Sequence, residues 1–127
     1  MLSVTGDLKI FVYTPAADMR KGIDGLSGIV RGELRGDPAD GSWYLFINRR
    51  RDRLKILHFD GGGFWLYYRV LERGTFEALA AVDDSRRMPI DATQLSMLLS
   101  GVSLVASQKR RKRYTHPSAT KRSEQAA

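Results

Sequence analysis

The sequence predicts an α+β domain, an antiparallel sheet of about four to five strands with two packed helices, followed by a disordered basic C-terminal tail. Three observations lead there. Short runs rich in β-branched and aromatic residues read as strands, and three of them follow one another across very short links. Two stretches repeat apolar residues at helical spacing. Beyond Val105 the chain turns polar and basic, so the domain is placed at residues 1–106 and the tail at 107–127.

The first element is Leu8 to Tyr13, apolar, β-branched and aromatic, bounded by Gly6 and Pro15. Weak alternation predicts a strand buried on both faces. Asp18 then stands where an N-cap is expected, since its carboxylate can accept the free amides of a first helical turn. From there Met19, Ile23, Leu26, Val30 and Leu34 mark one helical face. Glycines 22, 25, 28 and 32 weaken that helix, each by roughly 1 kcal/mol relative to alanine. Their near-helical spacing is read as a face that lets another backbone or a phosphate chain approach closely, and first as one that packs on the sheet.

Gly36 to Ser42 is turn chemistry throughout. Trp43 to Asn48 and Leu54 to Phe59 then flank Arg49, Arg50, Arg51 and Asp52, a hairpin with a basic tip. Asp60-Gly61-Gly62-Gly63 makes a second turn, and Phe64 to Leu71 returns as the next strand. Links this short cannot make parallel crossovers, so the three strands form an antiparallel meander. One more short strand falls near Arg87 to Ile90. Asp91 and Gln94 have capping-box spacing, Leu95, Leu98 and Leu99 supply an apolar face, and Gly101 is the C-terminal stop.

Charge separates body from tail. The 127-residue chain has a formal charge of +7, and residues 107–127 carry seven basic residues against Glu124 alone. The body is therefore nearly neutral. A basic tail suits phosphate neutralisation or an acidic protein surface. With no cysteine, disulfides and thiolate metal sites are excluded. No apolar run approaches the roughly 18 residues of a membrane span, and Met1 to Asp7 lacks the features of a signal peptide. These readings place the protein in the cytoplasm.

Catalysis finds little support. Metal-dependent nucleases and transposases need several carboxylates converging on divalent ions. Here Asp18 and Asp91 read as caps, Asp37, Asp40 and Asp60 lie in turns, and Asp52 tempers the basic tip. His58 reads as a strand side chain, and His116 lies in the tail. Gly61-Gly62-Gly63 joins two strands instead of opening a helix, so it lacks the helix-dipole phosphate site. The expectation is a non-enzymatic protein with no metal and no cofactor.

Binding is better supported. Arg49, Arg50, Arg51, Arg53 and Lys55 place five positive charges within seven residues at or beside a hairpin tip. Arginine offers paired donors to phosphate, and a β-ribbon can enter a major groove. Arg20 and Lys21 at the first helix, and Arg69 and Arg73 at a strand end, extend this patch if the fold brings them near. Lys109, Arg110, Arg111, Lys112 and Arg113 would add non-specific affinity. Trp43, Tyr44, Phe64, Trp65, Tyr67 and Tyr68 are read first as core and cross-strand packing, and second as base-stacking groups.

Asp18-Met19-Arg20-Lys21-Gly22-Ile23-Asp24-Gly25-Leu26 resembles a motif of the accessory proteins of insertion-sequence family sixty-six, encoded by the element's second open reading frame and called TnpB. Further blocks follow in order: Arg53 to Leu57, Asp60 to Tyr68, Leu71 to Gly74, and Gln94 to Gly101. The resemblance covers roughly residues 4–104. It is distinct from the larger RNA-guided nucleases that share the TnpB label. His58-Phe59 departs from the tryptophan or tyrosine usual before the Asp-Gly turn, and Glu77-Ala78 stands where Trp-Pro is expected. The resemblance implies a part in transposition of a bacterial element beside the transposase and another element-encoded protein. It supplies no catalytic residues. The leading expectation is a DNA-binding accessory factor. The alternative is an adaptor that docks on the transposase without touching DNA.

Overall fold

The computed structural model describes residues 8–80 and 84–101 of the chain. The basic tail, with Lys109 to Arg113, lies outside the described residues.

Four of the five strands fall where their residue types put them. They are β1 (Ile10–Tyr13), β2 (Trp43–Ile47), β3 (Arg53–Phe59) and β4 (Phe64–Val70). The fifth, β5 (Arg87–Ile90), occupies the short run read from the less legible segment. They form one sheet in the order β4-β3-β2-β1-β5. The meander is as expected, with β3 antiparallel to both β2 and β4. β1 pairs antiparallel with β5, placing Pro89 on an edge strand, where its missing N–H is tolerated.

One pairing refines the antiparallel expectation. β1 and β2 run parallel, with Ile10 beside Trp43 and Tyr13 beside Phe46. The sheet is thus mixed and mostly antiparallel. The reason is the connection, because the 29 residues between these strands contain helix α1 (Ile23–Gly32), long enough for a crossover.

The two helices cover opposite faces. Leu26, Ile29 and Val30 of α1 pack with Tyr13, Tyr44, Phe46 and Leu57. Leu98 of α2 (Ala92–Leu99), flanked by Leu95 and Leu99, packs with Ile10, Val12, Leu45, Leu54 and Ile56. Side chains alternate between faces along a strand. Both faces of the centre are therefore covered, and all five residues of β2 are buried. That explains the unbroken apolar run Trp-Tyr-Leu-Phe-Ile, which shows no polar alternation.

Two expectations about α1 are corrected. The helix begins at Ile23, not after Asp18, and its N-cap is Gly22 with no side-chain cap. Asp18 instead accepts from the Arg20 amide at 2.9 Å and pairs with the Arg20 guanidinium. The cause is a lysine on the sheet. Lys55 Nζ donates to the carbonyls of Met19 and Lys21, oxygens that an earlier helix would use itself. The glycine face does not pack on the sheet. A Cβ added at Gly22, Gly28 or Gly32 would meet nothing within 4 Å, because Leu26, Ile29 and Val30 form the packed side. Only Gly25 has a close neighbour, the Lys21 side chain at 3.0 Å.

At α2 the Asp91 carboxylate accepts from the Gln94 amide at 2.7 Å, and Gln94 Oε1 accepts from the Asp91 amide at 2.9 Å. Gly101 follows at φ +84°, a left-handed geometry that suits glycine.

Candidate nucleic-acid interface

The tip between β2 and β3 is organised by Asn48. Its Oδ1 accepts from the amides of Asp52 and Arg53, each at 3.0 Å, and its Nδ2 donates to Asp52 Oδ1 at 2.8 Å. The Arg51 amide closes the turn on the Asn48 carbonyl at 3.0 Å. Asp52 is thereby engaged in holding the loop, a more specific task than damping charge.

The basic residues of this loop divide into two groups. Arg49, Arg50 and Arg53 are exposed. Arg51 is half-buried and has φ +60°, a left-handed conformation unusual outside glycine. Its carbonyl accepts from the Phe76 amide at 2.6 Å and its guanidinium reaches the Phe76 carbonyl at 3.5 Å. It therefore straps residues 72–80 to the hairpin. Arg51 also lines a cavity of about 160 Å³ beside Arg49, Asn48 and Glu77, at the ends of the parallel strands.

Lys55 is not part of the exposed tip. It is buried, its ammonium is taken by the Met19 and Lys21 carbonyls, and it lies 4.9 Å from the centre of the Tyr68 ring. The Tyr68 hydroxyl accepts from Arg53 at 2.8 Å, which holds the Arg53 guanidinium above its ordinary pKa. A chain of contacts thus runs from Arg53 through Tyr68 and Lys55 to the Asp18–Gly22 loop. It brings Arg20 and Lys21 to the same end of the sheet as the hairpin tip. The Ala17 amide, bonded to the Ile47 carbonyl at 2.8 Å, fixes that loop over the end of β2. Arg20 faces solvent while paired with Asp18, whose carboxyl it lowers to about 2.

Arg69 stands opposite Leu54 on the other face of the sheet. The Leu71 amide donates to the Asp52 carbonyl at 2.8 Å, so Arg73 follows closely beyond the same edge. Both are exposed. The outcome is a basic pole, with Arg20, Lys21, Arg49, Arg50, Arg53, Arg69 and Arg73 gathered at one end of the sheet. The exposed acidic residues Asp18 and Glu72 lie among them, Asp18 paired with Arg20.

The opposite end is aromatic. Asp60 Oδ1 accepts from the Gly62 and Gly63 amides, and Oδ2 accepts from Trp65 Nε1 at 2.6 Å, all of which hold its carboxyl below the usual range. Trp65 stacks on Tyr67, Tyr67 on Trp43, and Trp43 on His58. His58 is thus a strand residue packed by its ring. Tyr44 and Phe64 also serve packing, so the first reading of the aromatics fits most of them. Trp65 and Tyr68 are close to half exposed.

Sequence reasoning missed the loop-holding role of Asn48 and, in reading Tyr68 for packing or base stacking, its bond to Arg53. The spacing of Asn48 to Asp52 was a usable signal, since Asn side chains organise tight turns. Tyr68 gave none, because its role depends on β3–β4 register. Among the described residues, no three of His, Asp and Glu gather as a metal site, and no helix is long and apolar enough to cross a membrane.

The model of IS66 Orf2-like proteins matches residues 8–109. Two curated proteins of Sinorhizobium fredii, both called uncharacterized, are similar over most of their length. The chain is 32% identical to y4jC over 102 residues, covering 80% of this chain and 86% of that protein. It is 33% identical to y4hO over 102 residues, covering 80% of this chain and 87% of that protein. No solved structure matches.

Proposed function

We propose, from the premise that the chain belongs to the IS66 Orf2-like family, that it is an accessory factor in transposition that binds DNA through its basic pole. The observation that carries the reading is the gathering of Arg49, Arg50 and Arg53 with Arg20, Lys21, Arg69 and Arg73 at one end of a rigid sheet. Phosphate contacts supply sequence-independent affinity, and each one made releases counterions. Arg49 and Arg50 project from a hairpin held by Asn48, so little ordering is needed on binding. Lys109 to Arg113 add charge in this reading. Lys55 serves it indirectly, by holding the loop that carries Arg20 and Lys21.

Fluorescence-anisotropy titration against element-end and scrambled duplexes at several salt concentrations tests it. Changing Arg49 and Arg50 to alanine weakens binding and flattens the slope of log affinity against log salt by roughly 0.9 per lost contact. Unchanged affinity and slope would remove the pole from the account.

A second reading, an adaptor docking on the transposase, is supported by the immobilised Asp18–Gly22 loop, an exposed and ordered surface. It expects association with the transposase after nuclease treatment, undiminished in the Arg49 and Arg50 variant. No association at low salt would count against it.

A further inference from the structure

β4 ends the sheet, and no described strand pairs with its outer side. Long free edges are a hazard that proteins usually blunt with proline, charge, bulges or brevity. β5, at the other edge, has four residues and contains Pro89. β4 has seven residues, Phe-Trp-Leu-Tyr-Tyr-Arg-Val, with one charge, no proline and an unbroken register against β3. It also carries Trp65, Tyr68 and Val70 at 46%, 49% and 44% exposure, the most exposed large hydrophobic side chains of the described chain.

The direction of its free backbone groups follows from two bonds. The Leu71 amide donates to Asp52, and the Asp60 amide donates to the Gly63 carbonyl. In an antiparallel ladder, hydrogen-bonded and non-bonded pairs alternate. Arg69, Tyr67 and Trp65 therefore turn their backbone groups towards β3. Phe64, Leu66, Tyr68 and Val70 turn theirs outward.

We infer that β4 is a dimerisation edge that pairs antiparallel with β4 of a second copy, about a two-fold axis at Tyr67. This register pairs all seven residues. Phe64 meets Val70 of the other copy and Leu66 meets Tyr68, so on the α1 side every pair is apolar. On the α2 side Tyr67 meets Tyr67, and Trp65 meets Arg69. The strand's single charge thus faces its exposed indole, a cation–π pairing made twice by symmetry. The outward groups of Phe64, Leu66, Tyr68 and Val70 bond one another in this register, as an edge-to-edge ladder requires. A shift of two residues leaves two residues of each strand without partners and takes Arg69 away from Trp65. The joined sheet has ten strands, and its two basic poles lie at opposite ends. The inference does not rest on DNA binding, and it turns Arg69 from the pole to the other copy's Trp65.

A chain without cysteine makes the test simple, because any introduced cysteine is unique. Facing residues of a non-hydrogen-bonded antiparallel pair lie about 4.5 Å apart at Cα, within disulfide reach. Mild oxidation of the full-length Tyr67→Cys variant is expected to give a covalent dimer. The Val70→Cys variant should stay uncrosslinked, its symmetry mate being roughly 20 Å away along the strand. Light scattering should give twice the 14.3 kDa chain mass for the unmodified protein. Val70→Lys, at an exposed position, should give the single mass with an unchanged circular dichroism spectrum. If Tyr67→Cys does not fold, mixing Trp65→Cys with Arg69→Cys should crosslink one to the other and neither to itself. A monomer at all concentrations, or equal crosslinking at positions 67 and 70, would overturn the inference. So would a monomer whose Phe64, Leu66, Tyr68 and Val70 amides lose exchange protection on truncation after Gly101, since the tail would then cover the edge.

Discussion

Lys55 Nζ lies 2.9 Å from the carbonyl oxygen of Met19, tying a buried lysine of the sheet to a loop 36 residues earlier. The same ammonium reaches the Lys21 carbonyl at 3.0 Å. Two loop carbonyls are thus satisfied by one side chain. Substitution Lys55→Met keeps the aliphatic bulk but removes both donors. It should lower stability by about 2 kcal/mol, as expected when partly buried acceptors lose their partners. The urea midpoint measures this, and an unchanged midpoint would show that the loop does not need the anchor.

Glu33 gives the fold an acid-sensitive contact. Its carboxylate accepts from the Tyr13 hydroxyl and from Arg86, each at 2.7 Å, and the Tyr13 bond leads in holding its pKa below the ordinary 4.5. A lowered folded pKa stabilises above the unfolded value and is lost as pH falls through the folded one. Stability should therefore decline as pH drops below about 4.5. The Glu33→Gln variant should show a shallower decline across that window in urea titrations, and identical acid limbs would contradict the assignment.

Tyr13 and Tyr44 should act at the other extreme. Burial, aided by hydrogen bonds to Glu33 and Asp40 respectively, pushes each hydroxyl from 10.0 to about 12. Raised folded values give stability that is complete below pH 10 and lost as pH climbs towards 12. Tyr44→Phe should reduce that alkaline loss, as read by the pH dependence of the thermal midpoint.

The capping box of α2 is a local device with a local cost. Asp91→Ala removes the acceptor for the Gln94 amide and should destabilise by about 1 kcal/mol. Thermal unfolding followed by circular dichroism would register this, and an unchanged midpoint would show that the helix does not need the cap.

Trp65 offers an optical reporter. Its indole N–H donates to Asp60 at 2.6 Å, and that bond is the largest cause of the lowered Asp60 pKa. Tryptophan emission should shift on acidification only below the usual carboxylate range, and Asp60→Asn should abolish the transition. A transition persisting in that variant would assign it elsewhere.

Most of the fold was legible because the decisive signals were local. The hairpins were marked by Arg49 to Asp52 and by Asp60 to Gly63, and α2 by Asp91, Gln94 and Gly101. The start of α1 was not legible, because Lys55 overrides a good capping residue from far along the chain. The parallel pairing of β1 and β2 was hidden for a related reason, since its 29-residue connection permits either direction. At the candidate site, Arg49, Arg50 and Arg53 could be read as exposed cations from the hairpin alone. Lys55 could not be separated from them, because a register position on β3 turns it inward. Nor could sequence show that Arg20, Lys21, Arg69 and Arg73 meet at the same pole.

β1 is made first during synthesis yet is completed last. Its parallel neighbour Phe46 is 33 residues beyond Tyr13, and Ile90 is 80 residues beyond Ile10. The meander of β2, β3 and β4 closes over short loops, which carry little entropic cost and form quickly. The meander can form while the first strand waits, and a chain cut before Arg87 leaves β1 as a bare edge. The antiparallel pair of β1 with β5 makes completion of the sheet depend on nearly the whole domain, so an incomplete product would carry an open apolar strand that marks it for aggregation or degradation.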